Sequence, residues 1–295
     1  MPQSRRPYSR QHLNLERALS WLYSGSWPAK LWSLVPGSTR VTLLRHSVST
    51  PGRDGGRPPL RIAFASDLHL GPTTPPALLD HAFALLREAR PDVLALGGDY
   101  VFLGATKQRV EELKARVEGV PARTKVAVLG NHDFWARPER LEDALAQAGV
   151  AVLVDESIRL PPPHDDVTIL GMDDPLTRRG VTDRLTHEAT VGAALENVHD
   201  VPVKIALCHS PDGFRSVRGK GIALYLCGHT HGGHIALPGY RPIIMPSPDG
   251  RLWPWGLHDV DGTRLFVSRG VGGSLVPVRT WAPPDVAVFT IHGSA

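Results

Sequence analysis

Residues 222–233 read IALYLCGHTHGG, an apolar run that ends in two histidines set among three glycines. The run has the length and composition of a buried strand, since a buried helix is usually longer than about ten residues. A lone histidine at the end of a strand is commonly structural, with its ring hydrogen-bonded or hydrated. Two histidines beside small glycines indicate a functional site instead, provided that other strand ends supply matching side chains.

The same pattern of an apolar strand that ends in polar residues recurs along the chain. It is found in LRIAFASDLH (60–69), PDVLALGGDY (91–100), TKVAVLGNHD (124–133), VTILGMDD (167–174) and VKIALCHSP (203–211). Amphipathic helical patterns separate several of these strands, at 75–90, 109–118, 139–149 and 187–198. This alternation predicts an α/β fold whose strands are buried on both faces. Two further strand patterns, at 263–273 and 285–293, have no helix between them, so part of the sheet system is expected to be antiparallel.

Five of the strand ends carry side chains that can bind a metal ion. They are Asp67, His69, Asp99, Asn131, His132, Asp133, His209, His229 and His231. Ligands of open α/β sheets bind outside the carboxyl ends of the strands, where these residues would meet. Residues i and i+2 of a strand point to the same side, so the two members of each Asp-x-His or His-x-His pair are expected to converge. The pattern therefore predicts one shared metal site in preference to several independent core histidines.

The mixture of carboxylates and imidazoles predicts which ions would bind. Manganese, iron and zinc accept both kinds of ligand, whereas calcium prefers a cage of oxygen atoms. The neighbouring glycines are expected to make room around the metal, so that backbone and phosphate can approach it closely.

The order of these motifs resembles that of the calcineurin-like metallophosphoesterases. Asp-x-His, Gly-Asp, Gly-Asn-His-Asp, a lone His and Gly-His-x-His follow one another from residue 60 onward. The contexts SDLHLG, GNHD, HSPD, GHTHGG and SRGVGGSLVPVR are similar to one branch, which holds the YkuE- and YaeI-like phosphodiesterases and the chlamydial-type UDP-2,3-diacylglucosamine pyrophosphatases. The resemblance implies a four-layer α/β/β/α sandwich of two mixed sheets flanked by helices, with metals at the carboxyl ends of the strands. The chain departs from this branch at His234, where glutamine is common.

The resemblance also implies a role for each residue of the site. Its metal ligands would be Asp67, His69 and His231 for one divalent cation, Asn131, His209 and His229 for the second, and the bridging Asp99 for both. The two cations are expected to be manganese, with iron or zinc as alternatives. His132 would stay uncoordinated and stabilise or protonate the substrate, while Asp133 would orient its neighbours. A hydroxide that bridges the cations would then attack a phosphodiester or pyrophosphate bond, without a covalent intermediate.

The metal ligands do not determine which leaving group the enzyme would accept. That specificity depends on the residues around the metal site. Tyr100, Trp135, Arg137 and His234 are candidate substrate contacts, and the aromatic-rich segment 238–259 is a candidate wall over the metals. Such aromatics can stack a base, line an acyl-chain groove or pack their own loop. We favour a lipid-linked substrate such as UDP-2,3-diacylglucosamine, with a nucleotide or nucleic-acid phosphodiesterase as the enzymatic alternative. A non-catalytic binding module of the same fold is disfavoured, because it would be expected to have lost ligands.

Residues 1–40 are expected to form a basic, amphipathic extension to a single metallophosphoesterase domain at 41–295. Residues 11–35 carry two helical patterns and Trp21, Trp27 and Trp32, but neither pattern has the length of a membrane span. They are expected either to lie in a membrane interface or to pack on the domain. We therefore expect a cytoplasmic protein, peripheral at the inner face of the membrane, with export by a twin-arginine signal in SRRPYS as the alternative.

The composition is that of a globular protein with a sizeable core, with 42% hydrophobic and 21% charged residues. The net charge of +4 is compatible with an anionic substrate, but the chain has no dense basic stripe, so nucleic acid is not an expected partner. Its two cysteines, Cys208 and Cys227, lie in apolar runs and are expected to be buried core residues. The sequence does not predict an oligomeric state.

Overall fold

In a computed structural model, which describes residues 10–175, 184–198, 200–275 and 278–293, the apolar runs form the centres of two six-stranded sheets. The strands are β1 (Thr42–Thr50), β2 (Leu60–Ala65), β3 (Val93–Leu96), β4 (Thr124–Ala127), β5 (Ala151–Val152), β6 (Glu156–Arg159), β7 (Val167–Gly171), β8 (Val203–Leu207), β9 (Ile222–Cys227), β10 (Ala236–Leu237), β11 (Arg241–Pro242), β12 (Gly256–Val260), β13 (Thr263–Val267) and β14 (Asp285–Gly293). The helices are α1 (Arg10–Leu22), α2 (Trp27–Ser33), α3 (Pro76–Glu88), α4 (Lys107–Glu118), α5 (Asn131–Trp135), α6 (Pro138–Gln147) and α7 (Arg184–Glu196).

Both sheets are mixed, as the sequence predicts. The first has the order β1-β14-β2-β3-β4-β5, in which β2 to β5 are parallel and β14 runs antiparallel to β2. The second has the order β12-β13-β9-β8-β7-β6, in which the outer strands β6 and β12 are antiparallel to their neighbours. The last two strands, β13 and β14, enter different sheets, so no helix is needed between them.

Three clusters of buried side chains hold the layers together. Phe64 of the first sheet meets Phe266 of the second in the cluster between the sheets. On the outer face of the first sheet, α3, α4 and α6 pack through residues such as Phe83 and Leu141. On the outer face of the second sheet, α7 packs through Val191. The expected four layers, helices, sheet, sheet and helices, are therefore confirmed.

The strands that precede the predicted site lie in the centres of the two sheets. The loops after β2, β3 and β4 leave the first sheet at its carboxyl edge, and the loops after β8 and β9 leave the second sheet at the corresponding edge. Since the two sheets pack face to face, these five loops meet above the cluster between them. The fold thus places all of the predicted ligands at one edge of the molecule.

The N-terminal helices pack on the first layer and also expose apolar side chains. Trp32 of α2 is 3% exposed and belongs to the cluster beneath the first sheet, and the backbone N–H of Ala29 donates to the carbonyl oxygen of Pro72 at 3.1 Å. Trp21 and Leu34, by contrast, are 79% and 77% exposed. None of the helices in the described residues is long and apolar enough to cross a bilayer. Contact with a membrane and the division of the chain at residue 40 stay predictions.

Replacement of Trp32 by alanine is expected to lower the free energy of unfolding by about 3–5 kcal/mol, because it removes a large buried side chain from the core. Replacement of the exposed Trp21 by alanine is the matched control and should change that free energy by less than about 0.5 kcal/mol. Urea unfolding of the full chain measures both values. A small effect of W32A would show that α2 contributes nothing to the core.

Candidate metal centre

The side chains at the carboxyl edge form overlapping clusters of imidazoles and carboxylates. Three sets have ligand atoms that all lie within 4.8 Å of one another: Asp67, His69 and His231; Asp99, His209 and His229; and His69, Asp99 and His132. The first set is the first predicted group of ligands, and the second set holds His209 and His229 of the second group together with Asp99, the predicted bridge. The third set shows that His132, predicted to stay uncoordinated, borders the same centre.

Asp99 lies between the two predicted groups. Its Oδ2 atom is 3.3 Å from Nε2 of His209 and 3.7 Å from Nε2 of His69. Its Oδ1 atom accepts a hydrogen bond of 2.8 Å from the backbone N–H of His132. One carboxylate oxygen therefore faces both groups while the other is held by the start of α5.

The backbone of the ligand loops is left-handed at many of the ligands themselves. The residues with positive φ include Asp67 (54°), His69 (45°), Asp99 (55°), His229 (68°) and His231 (52°). This conformation is rare outside glycine and costs about 1 kcal/mol or more per residue, and it is concentrated at functional sites. The expectation that these pairs converge by alternation within a strand is wrong, since β2 ends at Ala65 and β9 at Cys227. The pairs converge because the chain turns sharply after each strand.

Two glycines give the ligand carboxylates the room that they occupy. A Cβ atom at Gly228 would lie 2.2 Å from Oδ2 of Asp67, and one at Gly130 would lie 2.2 Å from Oδ1 of Asp99. Any larger residue would displace these carboxylates. The glycine of GHTH is thus required by the approach of a ligand side chain, in addition to any approach of a phosphate.

Asp133 fixes the loop that carries Asp99. Its carboxylate accepts hydrogen bonds from the backbone N–H groups of Asp99 and Tyr100, both at 2.7 Å, and of Gly130 at 2.9 Å. The carboxylate therefore joins the end of β3 to the start of α5. This geometry agrees with the orienting role that the resemblance implies.

Burial and charge set the protonation of the imidazoles. Burial lowers the pKa of His69 and His231 well below the usual value and lowers the pKa of His229 to about 3. These three rings are neutral at pH 7, as a metal ligand has to be. Burial acts to lower the pKa of His209, but the charge and hydrogen bond of Asp99, together with the charges of Asp67 and Asp174, outweigh it and raise that pKa well above the usual value. The carboxylate of Asp99 thus favours the charged form of the His209 ring, 3.3 Å away.

An aromatic cage surrounds the half-buried ring of His132. Its centroid lies 4.6 Å from that of Trp135, 4.9 Å from that of His69 and 5.5 Å from that of Phe102, each in an edge-on arrangement. Trp135, a predicted substrate contact, therefore packs against the predicted catalytic residue. The cage limits the orientations that the His132 ring can adopt.

The other predicted substrate contacts lie in different surroundings. The interpretation of Tyr100 as a substrate contact is wrong, because its side chain is fully buried and its hydroxyl donates to the carbonyl oxygen of Val128 at 2.6 Å, with that of Leu96 at 3.1 Å. The ring of His234 lies 5.3 Å from that of His231, at the edge of the centre. Arg137 is exposed and precedes α6. The roles of His234 and Arg137 stay predictions.

The sequence reasoning missed Arg279, which reaches the centre from the end of the motif SRGVGGSLVPVR. Its Nη2 atom lies 2.8 Å from Nδ1 of His231. The closing motif was the signal that could have drawn attention to Arg279.

The segment 238–259, predicted as a wall over the metals, is attached to the loop that carries His229 and His231. The hydroxyl of Thr230, between these two histidines, donates to the carbonyl oxygen of Pro254 at 2.7 Å.

Comparison with known proteins agrees with the motifs. The family profile described as calcineurin-like phosphoesterase matches residues 60–233. Over 235 residues the chain is 32% identical to an uncharacterized metallophosphoesterase of Aquifex aeolicus, which covers 79% of this chain and 85% of that protein. It is 29% identical to the uncharacterized metallophosphoesterase YkuE of Bacillus subtilis, with 85% and 84% covered, and 29% identical to the phosphodiesterase YaeI of Escherichia coli, with 79% and 82% covered. The resemblance stated from the motifs is confirmed.

Replacement of Gly228 by alanine is expected to destabilise the protein by about 2 kcal/mol, because the new methyl group overlaps the carboxylate of Asp67. Gly192 of α7 is the matched control: a Cβ atom there would have no neighbour within 4 Å, so G192A should be neutral or stabilising by up to about 1 kcal/mol. Thermal unfolding of both variants measures the difference. Equal melting temperatures would contradict the packing described for Gly228.

Proposed function

The chain belongs to the calcineurin-like phosphoesterase family and is a phosphoester hydrolase, and we propose that it cleaves a phosphodiester or pyrophosphate bond with two divalent cations. The observation that carries the proposal is the position of Asp99. One of its oxygens lies 3.3 Å from a nitrogen of His209 and 3.7 Å from a nitrogen of His69, which belong to different groups. A carboxylate that two cations share has to face both groups in this way.

The residues at the centre fit such cations. Oδ1 of Asn131 is buried and has no hydrogen-bond partner among the residues that the structure describes, and Nδ1 of His229 lies against Nε2 of His209, 3.2 Å away. A buried polar atom without a partner costs about 1–3 kcal/mol, and a bound cation would remove that cost. The proposed ligands are Asp67, His69 and His231 for one cation, Asn131, His209 and His229 for the other, and Asp99 for both. Manganese suits this mixture of oxygen and nitrogen donors, with iron or zinc as alternatives.

The bound cations would supply an activated water and neutralise the negative charge that builds on the phosphoryl group. His132 borders the centre through its contact with His69, so a ring nitrogen of His132 can give a proton to the leaving oxygen. Trp135 and Phe102 hold that ring in place, and Asp133 holds the backbone of Asp99.

We further propose a lipid-linked substrate such as UDP-2,3-diacylglucosamine, taken from a membrane surface at its inner face. The exposed Trp21, Leu31 and Leu34 give the N-terminal helices an apolar surface, and the basic Arg17 and Lys30 beside them suit anionic headgroups. The hydroxyl of Tyr23 donates to the carbonyl oxygen of Leu275 at 2.7 Å. The connection between the two helices thus contacts Leu275, which precedes Arg279 by four residues in the sequence.

A nucleotide phosphodiesterase is the second candidate. Tyr240 and Trp281 are both exposed, and their ring centroids lie 6.5 Å apart. The ring of Trp255 lies beside them, tilted, with its centroid 5.3 Å from that of Tyr240. Such rings offer a surface on which a nucleobase can stack.

Replacement of His132 by alanine is expected to lower kcat by about 100-fold or more for an ester with a poor leaving group, because general acid catalysis is lost. The loss should be smaller for bis-p-nitrophenyl phosphate, whose leaving group needs no proton, and Mn²⁺ binding should persist. His292, at the far end of β14, gives the control H292A, which should keep full activity on both esters. An equal loss of rate on good and poor leaving groups would argue against an acid role for His132.

The substrate proposal is tested with the Mn²⁺-loaded protein and UDP-2,3-diacylglucosamine in anionic vesicles. Release of UMP, together with sedimentation of the protein with the vesicles, is expected. The double variant W21E/L34E should stay in solution yet hydrolyse bis-p-nitrophenyl phosphate normally, and V154E, at another exposed apolar residue, should still sediment. Cleavage of bis-p-nitrophenyl phosphate or of nucleotide diesters without cleavage of the lipid would overturn the lipid proposal and favour the second candidate.

A further inference from the structure

The exposed apolar side chains of the protein are concentrated in two regions. Among the residues that the structure describes, every exposed large hydrophobic side chain except Val154 lies in one of them. The first region comprises residues 15–35, in and just after α1 and α2. The second, which we call the rim, consists of residues 237–252, Leu275 and residues 278–281. Its exposed apolar side chains are Leu237, Tyr240, Ile243, Ile244, Leu252, Leu275, Val278 and Trp281. Such a concentration of apolar side chains marks a binding surface.

The rim is packed against the edge of the metal centre. The backbone N–H of Ile243 donates to the carbonyl oxygen of Ile235 at 3.1 Å. A Cβ atom at Gly233 would lie 2.2 Å from Cβ of Pro242, so the two backbones are in close contact. Gly233 follows His231, a proposed ligand, by two residues. A partner that binds the rim would therefore lie beside the centre.

The rim exposes apolar side chains although its own backbone is fixed. Asp249 is 1% exposed and accepts hydrogen bonds from the guanidinium of Arg215, and the backbone N–H of Gly250 donates to the hydroxyl of Ser247 at 2.8 Å. Ile244, just before these anchors, is 67% exposed. Four prolines in residues 237–252 restrict the backbone further. A surface that is ordered before it binds loses little conformational entropy on binding.

The exposed charges of the rim are basic. They are Arg241 and Arg251, whereas the one acidic residue of the rim is the buried Asp249. The stretch 17–41 likewise carries three basic residues and no acidic one. Apolar side chains beside positive charges suit the surface of an anionic bilayer. In an interface between two copies of this chain, the same charges would repel each other.

The rim adjoins the N-terminal helices at Leu275. The carbonyl oxygen of Leu275 accepts the hydrogen bond from the hydroxyl of Tyr23, and its side chain is 52% exposed. The two apolar regions are therefore in contact through the main chain of Leu275. A membrane that touches the helices would have a second apolar surface available next to them.

We propose that the rim is a second membrane-binding surface, whose apolar side chains enter the headgroup region of an anionic bilayer beside the metal centre. The inference rests on the proposed function, because it extends the membrane contact proposed for the N-terminal helices. Rings such as those of Tyr240 and Trp281 suit the interface of a bilayer, and the aliphatic Ile243 and Ile244 suit its acyl chains. A nucleobase could stack on the two rings but gains no such contact from the isoleucines. A lipid-linked substrate would reach the centre with its acyl chains still among the lipids.

The inference is tested by sedimentation with vesicles of phosphatidylcholine and phosphatidylglycerol that contain no substrate. The full chain is expected to sediment with them. The variant Ile244→Glu should lower the partition coefficient by about 10-fold or more, because it replaces an inserted apolar side chain by an anion. Its melting temperature should equal that of the wild type, since the side chain is exposed.

V154E is the matched control, because it introduces the same charge at an exposed apolar residue outside both regions and should bind as the wild type does. The double variant R241Q/R251Q should bind these vesicles more weakly and bind neutral phosphatidylcholine vesicles as the wild type does.

Equal binding of I244E and the wild type would overturn the inference, and loss of binding in W21E/L34E alone would assign the contact to the N-terminal helices. A wild type that does not sediment would overturn both contacts. A dimer in sedimentation velocity that I244E dissociates would make the rim an interface between two copies and also overturn the inference. The vesicles carry no substrate, so a protein that binds them through the rim without cleaving UDP-2,3-diacylglucosamine fails the lipid substrate of the proposed function and not this inference.

Discussion

The burial of two carboxylates is the constraint on which the rest of the site depends. Asp67 and Asp99 are almost wholly removed from solvent, and an ion in such a place costs several kcal/mol unless it is paired and hydrogen-bonded. The hydroxyl of Ser66 and the backbone N–H of His229 donate to Asp67, and the backbone N–H of His132 donates to Asp99. These donors are available because the chain leaves its strands in left-handed turns. The turns and the glycines beside them follow from the need to surround two anions.

The sequence predicts those strands and helices whose buried positions accept only apolar residues, because such positions leave a pattern that can be read from the sequence. The central strands β2, β3, β4, β7, β8 and β9 are covered on both faces, so they appear as apolar runs. The edge strand β6, half exposed and bearing charges at both ends, carries no such pattern and escapes prediction. The meeting of the ligands was predictable from the strand ends, but their left-handed backbone was not, since sequence alternation describes strands and says nothing of the turns that follow them.

Tyr100 and Arg279 show why substrate and supporting residues are harder to predict than ligands. Tyr100 follows Asp99 directly, yet its side chain points into the core, where its hydroxyl is hydrogen-bonded to main-chain carbonyl oxygens, that of Val128 at 2.6 Å and that of Leu96 at 3.1 Å. Arg279 is 48 residues away from His231 in sequence, yet the two side chains are in contact. Neighbourhood in sequence fixes the position of a backbone and not the direction of a side chain. A motif such as SRGVGGSLVPVR does not reveal which ligand its last arginine contacts.

The packing of the N-terminal helices on the domain limits how the domain can be oriented at a surface. Trp32 lies in the core. The backbone N–H of Ala29 is hydrogen-bonded to the loop after β2, and the hydroxyl of Tyr23 is hydrogen-bonded to the carbonyl oxygen of Leu275. A flexible tether would raise the concentration of the enzyme near a surface but leave it free to tumble there. Because these helices are packed on the domain, their orientation fixes that of the whole domain. If they contact a surface, the metal centre would therefore be held at one distance from that surface and at one angle to it. Access to the site would then depend on how far the bond to be cleaved lies from that surface.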